Sequence, residues 1–201
     1  MMLVRSLCYC SIVMTLLPLS GIGQEVAPLE GVSLLDLEGQ AVDLQVPEGG
    51  ALALVFLWSE CPISNQFSPT LIRIAEEFQE QPARIVGVFV DADKSDAEVA
   101  AHAGEYGLNF PIARKGGVPL AMRLDVGIVP SAVVIDDQGH VRYQGRISDL
   151  FFDLGKRRQA PQSQELQKAL KAILAGEEVA EPRVEAIGCT LPDFRDDNDN
   201  E

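Results

Sequence analysis

The residue best placed to do chemistry is Cys61, in the stretch FLWSECPISNQF at 56–67. Pro62 follows it directly and Ser64 stands three residues on. A thiol attacks as its thiolate, so a reactive cysteine needs surroundings that favour negative sulfur. The flanking pattern supplies them. ALALVFLWS at 51–59 is a continuous apolar run, as in a strand buried on both faces. After Cys61, Pro62 suits the first turn of a helix, and Phe67, Leu71, Ile74 and Phe78 fall on one helical face. Cys61 is therefore expected where a strand ends and a helix begins, beside unpaired N–H groups and the positive end of the helix dipole. The chemistry expected there is nucleophilic attack on sulfur or on oxygen bound to a leaving group. The plainer alternative is an inert core thiol.

The other three cysteines are Cys8, Cys10 and Cys189. Cys8 and Cys10 lie in an N-terminal segment with Arg5, an apolar run over 7–19 and small residues at Gly21 and Gly23. This is the pattern of a secretory signal peptide over 1–23, with an uncleaved anchor as the alternative. Cleavage leaves Cys61 and Cys189 in an extracytoplasmic chain, periplasmic or secreted, where two thiols can form one disulfide.

The elements that must position Cys61 follow from periodicity and punctuation. Residues 29–45 alternate around Glu38-Gly39 as a β-hairpin. ARIVGVFVD at 83–91 is a second buried strand, and Ser95 with Glu98 forms a capping box that opens a helix. A short strand at 109–115, a short helix at 118–126, and two strands about a turn at 136–139 follow. The basic stretch GKRRQAPQ at 155–162 is read as irregular and its KRRQ as a solvated loop, and SQELQKALKAILAG at 163–176 as an amphipathic helix. Pro69 should kink the first helix. The predicted class is α/β, a central mixed sheet flanked by helices, with a domain over 24–176 and an irregular C-terminal tail over 177–201. His102 and His140 are read as solvated, and Arg142 and Arg146 as an exposed strand face.

The order β-α-β-α-β-β-α and two motifs resemble the extracytoplasmic thioredoxin-like, redoxin-domain family. The first motif is FLWSECPIS, similar to that family's strand-to-helix C-x-x-C site but with Ser64 at the second cysteine, a CxxS variant. The second is DVGIVPSAVVIDDQG at 125–139, whose Pro130 matches a cis-proline preceding a strand. The resemblance implies a thioredoxin fold over about residues 29–175 and thiol–disulfide exchange with Cys61 as attacking cysteine. It also implies that Ser64 hydrogen-bonds the thiolate, that Trp58 and Pro62 form the wall of the site, and that Val129 and Pro130 shape a groove for substrate. Because Ser64 cannot resolve a mixed disulfide, Cys189 is the remaining candidate in the mature chain; a lone tail thiol and a link between chains stay open.

Other functions on this fold fit less well. A peroxiredoxin-like peroxidase carries P-x-x-x-T-x-x-C, whereas Leu54 and Trp58 occupy its proline and threonine positions. A copper-delivery module needs C-x-x-x-C and a distant histidine, but Asn65 stands at the second cysteine. A non-catalytic interaction module is the third alternative. The net charge of −14 disfavours nucleic acid and anionic membranes, and much of the acid is diffuse or sits in the tail DFRDDNDNE, which reads as solvation. No Gly-rich phosphate loop or metal signature is present, so no cofactor or metal is expected. The expected partners are protein or small-molecule thiols and disulfides.

Overall fold

The computed structural model describes residues 29–192; the expected signal segment and the acidic end of the tail lie outside them. The first regular element, β1 (Ala51–Leu57), is the buried run that precedes Cys61. It leads into α1 (Pro62–Phe78), β2 (Ala83–Phe89), α2 (Asp96–Glu105), β3 (Ile112–Ala113) and α3 (Gly117–Arg123). Then come β4 (Ile128–Val129), β5 (Ser131–Asp136), β6 (Val141–Gly145), β7 (Phe151–Asp153) and β8 (Lys156–Arg157). The chain closes with α4 (Glu165–Leu174), β9 (Arg183–Val184) and β10 (Cys189–Thr190).

Six strands form one mixed sheet in the order β3-β2-β1-β5-β6-β9. β1 is central, parallel to β2 and antiparallel to β5. Alternation along β1 divides the core. Ala51, Ala53, Val55 and Leu57 join a cluster with Phe67, Leu71, Ile74 and Phe78 of α1 and Leu166, Leu170 and Ile173 of α4. Leu52, Leu54 and Phe56 join a second cluster with Leu34 and with Leu120 and Ala121 of α3. A strand buried on both faces must read as a continuous apolar run, and this one does. The capping box at Ser95 forms, with Ser95 N–H donating to Glu98 Oε2 at 2.8 Å and Glu98 N–H donating to Ser95 Oγ at 3.3 Å. α1 continues through Pro69.

Three local expectations change. The hairpin at 29–45 is confined to one antiparallel bridge, Leu35 with Ala41, flanked by Asp36 N–H donating to Gln40 O at 2.8 Å and Val42 N–H to Leu34 O at 2.9 Å; Leu35 also bridges Lys115. The stretch read as irregular and solvated at 155–162 begins with β8, which pairs antiparallel with β7. Arg158 there meets the Asp149 carboxylate at 3.1 Å and lies over the Phe152 ring. Finally, the described part of the tail is docked. β9 pairs parallel with β6, and β10 pairs antiparallel with β4. Two-residue strands leave no periodic trace in a sequence; here they exist because the domain offers them an edge.

Candidate active site

Cys61 is the N-cap of α1, with extended backbone at φ −84° and ψ 111°, and Pro62 occupies the first turn. Cys61 N–H donates to Trp58 O at 3.0 Å and Cys61 O accepts from Asn65 N–H at 3.1 Å, which closes the first helical turn. The residue is 0 % exposed. No acidic residue lies in the first turn of α1, so no carboxylate there offsets the dipole beside the sulfur.

The Val129–Pro130 peptide is cis, as the resemblance implied. It brings the Val129 carbonyl oxygen within 3.5 Å of Cys61 Sγ. The same short strand carries the tail, since Cys189 pairs with Val129 and Thr190 with Ile128. Leu191 N–H donates to Gly127 O at 2.9 Å and extends that pairing. The consequence is a disulfide between Cys61 and Cys189, 128 residues apart in sequence, with their Cα atoms 6.0 Å apart. Of the alternatives left open for Cys189, this structure adopts the intramolecular link.

Ser64 is buried on the turn after Cys61. Its Oγ accepts from Trp58 N–H at 3.5 Å, a contact at the outer limit of a hydrogen bond. In the disulfide-bonded form it makes no hydrogen bond to Cys61. Trp58 is partly buried against both core clusters at the end of β1.

Behind the Cys61 loop lies a polar chain that the sequence reading missed. Asp91, buried just beyond the end of β2, accepts from Ser59 N–H at 3.2 Å and 3.3 Å, and from Ser59 Oγ. Burial raises the Asp91 pKa, against the lowering effect of the Ser59 hydrogen bonds and the His102 charge. Asn65 donates through Nδ2 to Ser59 O at 3.0 Å. Its Oδ1 accepts from His102 Nε2 at 2.9 Å. His102 is thus partly buried, not solvated; it meets Phe89 edge-on with ring centroids 5.7 Å apart and stacks at 4.6 Å on Tyr106. Its Nδ1 is buried without a partner. Burial lowers its pKa, partly offset by the charges of Asp91 and Glu105. The available sequence signal was an acid at the end of a buried strand; its partners arrive only through folding.

His140 is exposed, 3.7 Å from Asp136. Arg142 and Arg146 do not reach Cys61. Arg142 pairs with the buried Asp136 at 3.1 Å, and Arg146 with the buried Glu165 at 2.5 Å. Among the described residues, no group of three or more His, Cys, Asp or Glu side chains is arranged to hold a metal, and no helix is long and apolar enough to cross a membrane.

A family model described as the AhpC/TSA family matches residues 22–144. The chain is similar to the thiol-disulfide oxidoreductase ResA of Halalkalibacterium halodurans, 28% identical over 108 residues, covering 54% of this chain and 60% of that protein. It is similar to the thioredoxin-like protein YneN of Bacillus subtilis, 28% identical over 121 residues, or 59% of this chain and 69% of that one. The chain thus spans less than two thirds of the length of that ResA. An uncharacterized conserved protein from Geobacillus kaustophilus superimposes with a TM-score of 0.68 at 22% identity, over 79% of this chain and 86% of that one. MTB dsbF, in its mixed oxidized and reduced forms, gives 0.55 at 18% identity, over 74% and 98%. At these identities the likeness shows a shared fold.

Proposed function

The chain belongs to the AhpC/TSA family, and within it we propose a thiol–disulfide oxidoreductase in which Cys61 attacks and Cys189 resolves. The observation that carries this reading is the delivery of Cys189 to Cys61 by the pairing of β10 with β4. In the reduced protein the Cys61 thiolate attacks a disulfide R–S–S–R′. A Cys61–S–S–R bond forms and R′–S⁻ leaves. The Cys189 thiolate then attacks the Cys61 sulfur, the internal disulfide forms, and R–S⁻ leaves. The substrate gains two electrons and the protein loses two; two external thiols reverse the change. The N-cap position of Cys61 favours its thiolate both as nucleophile and as leaving group. Ser64 takes no covalent part, and Trp58, Pro62, Val129 and Pro130 form the walls. The name of the ResA relatives supports the reaction class. A disulfide in the fold and the apolar segment over 7–19 support an extracytoplasmic location.

The family favours a second reading, a thiol peroxidase. Cys61 would be oxidised by hydrogen peroxide to a sulfenic acid, and Cys189 would condense with it, releasing water. One experiment separates the two. Reduced protein is mixed with oxidised glutathione or with hydrogen peroxide, and internal disulfide formation is followed by mass spectrometry. The proposal expects fast oxidation by the disulfide, none with Cys61→Ser, and a trapped Cys61–glutathione adduct with Cys189→Ser. Much faster oxidation by peroxide would favour the peroxidase. Equal exchange rates for the wild type and Cys61→Ser would overturn both.

A further inference from the structure

We propose that the chain's own segment over 185–192, EAIGCTLP, is the template of its substrate: an extended polypeptide disulfide with glycine directly before the target cysteine. This rests on the thiol–disulfide reading above and specifies the substrate of the same site.

The groove beside Cys61 is occupied by a strand of the chain's own tail. Cys189 and Thr190 pair antiparallel with Val129 and Ile128, and Leu191 N–H reaches Gly127 O. Around that pairing Ile187 packs on the α1–α4 cluster and Leu191 on the α3 cluster. The arrangement holds a cysteine in extended backbone with its sulfur bonded to Cys61, which is the geometry of a mixed disulfide with a polypeptide. The tail therefore shows which backbone and side chains the groove accepts.

Its most restrictive position is Gly188. A Cβ built there would overlap the Val129 carbonyl oxygen and lie 2.6 Å from the Val129 carbonyl carbon and 3.1 Å from Pro130 N. All three are backbone atoms on the wall of the site, so no side chain can swing away to make room. Val129 is itself fully buried, which limits its retreat. A peptide that presents its cysteine in the register of Cys189 must put glycine where Gly188 stands; any larger residue pushes the cysteine away from Cys61. Glycine is selected here by close approach, not by a left-handed backbone. The same contact makes the tail a competitor, so such a peptide enters only after the internal disulfide is reduced and the tail leaves.

The test uses the full chain carrying Cys189→Ser, reduced, so that an adduct on Cys61 cannot be resolved. Two symmetrical peptide disulfides are offered, dimers of EAIGCTLP and of the same peptide with the Gly188→Ala change. Cys61 thiolate attacks one peptide sulfur, a Cys61–peptide disulfide forms, and one peptide leaves as a thiolate. The glycine peptide is expected to react at least about tenfold faster, the size of effect expected when a methyl group is forced into a packed site. Oxidised glutathione serves as a control that does not use the groove. Equal rates for the two peptides would overturn the inference. So would reaction with glutathione alone, which leaves the oxidoreductase reading standing. Failure of Cys61 to react with any of the three disulfides would overturn that reading and the inference with it. As an independent readout, Gly188→Ala in the otherwise native chain should slow closure of the internal disulfide by a similar factor, and closure at the native rate would count against the steric argument.

Discussion

The two bonded sulfurs have unequal support. Cys61 is fully buried between a seven-residue strand and a 17-residue helix, and its loop is tied down by Asp91 and Asn65. Cys189 is partly exposed on a two-residue strand at the end of a segment with little regular structure. One sulfur belongs to the domain and the other is delivered to it. In the proposed reaction Cys61 must keep its geometry, whereas Cys189 must leave so that substrate can enter. The two settings differ in that sense: a two-residue strand with a partly exposed cysteine is held by less of the core than a buried N-cap is, and such a pairing opens at lower free energy.

The sharpest way to break this comparison is to measure the two thiols in one reduced molecule. At pH 6 an ordinary cysteine holds under about one percent thiolate, while a helix N-terminus can bring the pKa to between about 3.5 and 7.5. Iodoacetamide should therefore label Cys61 at least about tenfold faster than Cys189. In strong denaturant the helix is gone and the two rates should converge. Equal rates in the folded protein would remove the distinction.

The next effect concerns what the link does for the fold. The bond closes a 128-residue separation, and disulfides typically stabilise by about 2–4 kcal/mol. Denaturant unfolding of oxidised and reduced protein should differ by that amount. A reduced protein as stable as the oxidised one would mean that the tail undocks at no cost, or that the unfolded chain remains compact.

A smaller change should act on the delivered sulfur alone. Gly145, at the end of β6, faces Val184 of β9, and a Cβ there would overlap the Val184 carbonyl oxygen and lie 2.9 Å from its carbonyl carbon. Gly145→Ala should weaken tail docking by about 1–3 kcal/mol, the usual cost of overpacking. Closure of the internal disulfide should slow, while the iodoacetamide rate at Cys61 in the reduced protein stays unchanged. A fall in Cys61 reactivity would show that the tail's anchor also shapes the nucleophile.

The same inequality decides what could be read in the sequence. Cys61 was legible because its setting is local: an apolar run, a proline, and an apolar helical stripe within thirty residues. Ser95 and Glu98 were legible for the same reason. The docked tail was not, because Arg183–Val184 and Cys189–Thr190 are strands only by virtue of the edges of β6 and β4. Nor was the chain from Asp91 through Ser59 and Asn65 to His102, which joins residues from three separate stretches. Arg142 and Arg146 alternate as an exposed face would, yet each reaches a buried carboxylate brought by folding. The pattern reported the faces of elements; their partners had to come from tertiary structure.

The smallest expected effect sharpens the Cys61 side of the comparison. His102 joins α2 to the Cys61 loop through Asn65, and Asp91, Glu105, Phe89 and Tyr106 surround it. Burial lowers its pKa below the ordinary 6.5. The unfolded chain therefore takes up a proton at a pH where the native chain still resists it. The stabilising contribution is present above about pH 6.5 and is lost as pH falls through the lower folded value. Asp91 acts with the opposite sign. Its pKa is raised from 3.8, so its contribution is present at low pH and is lost as pH rises through the folded value. Urea unfolding between pH 7.5 and 5.5 should show wild type losing more stability on acidification than His102→Gln. Repeating both in an Asp91→Asn background removes the opposing carboxylate and its charge on His102, so the remaining slope reports burial against the charge of Glu105. Cys61 labelling at fixed pH should change in His102→Gln, because Asn65 loses its partner, while disulfide stability in the tail should not. Parallel pH profiles for wild type and His102→Gln would show that His102 titrates alike in the folded and unfolded chains and contributes nothing pH-dependent to the loop that holds the nucleophile.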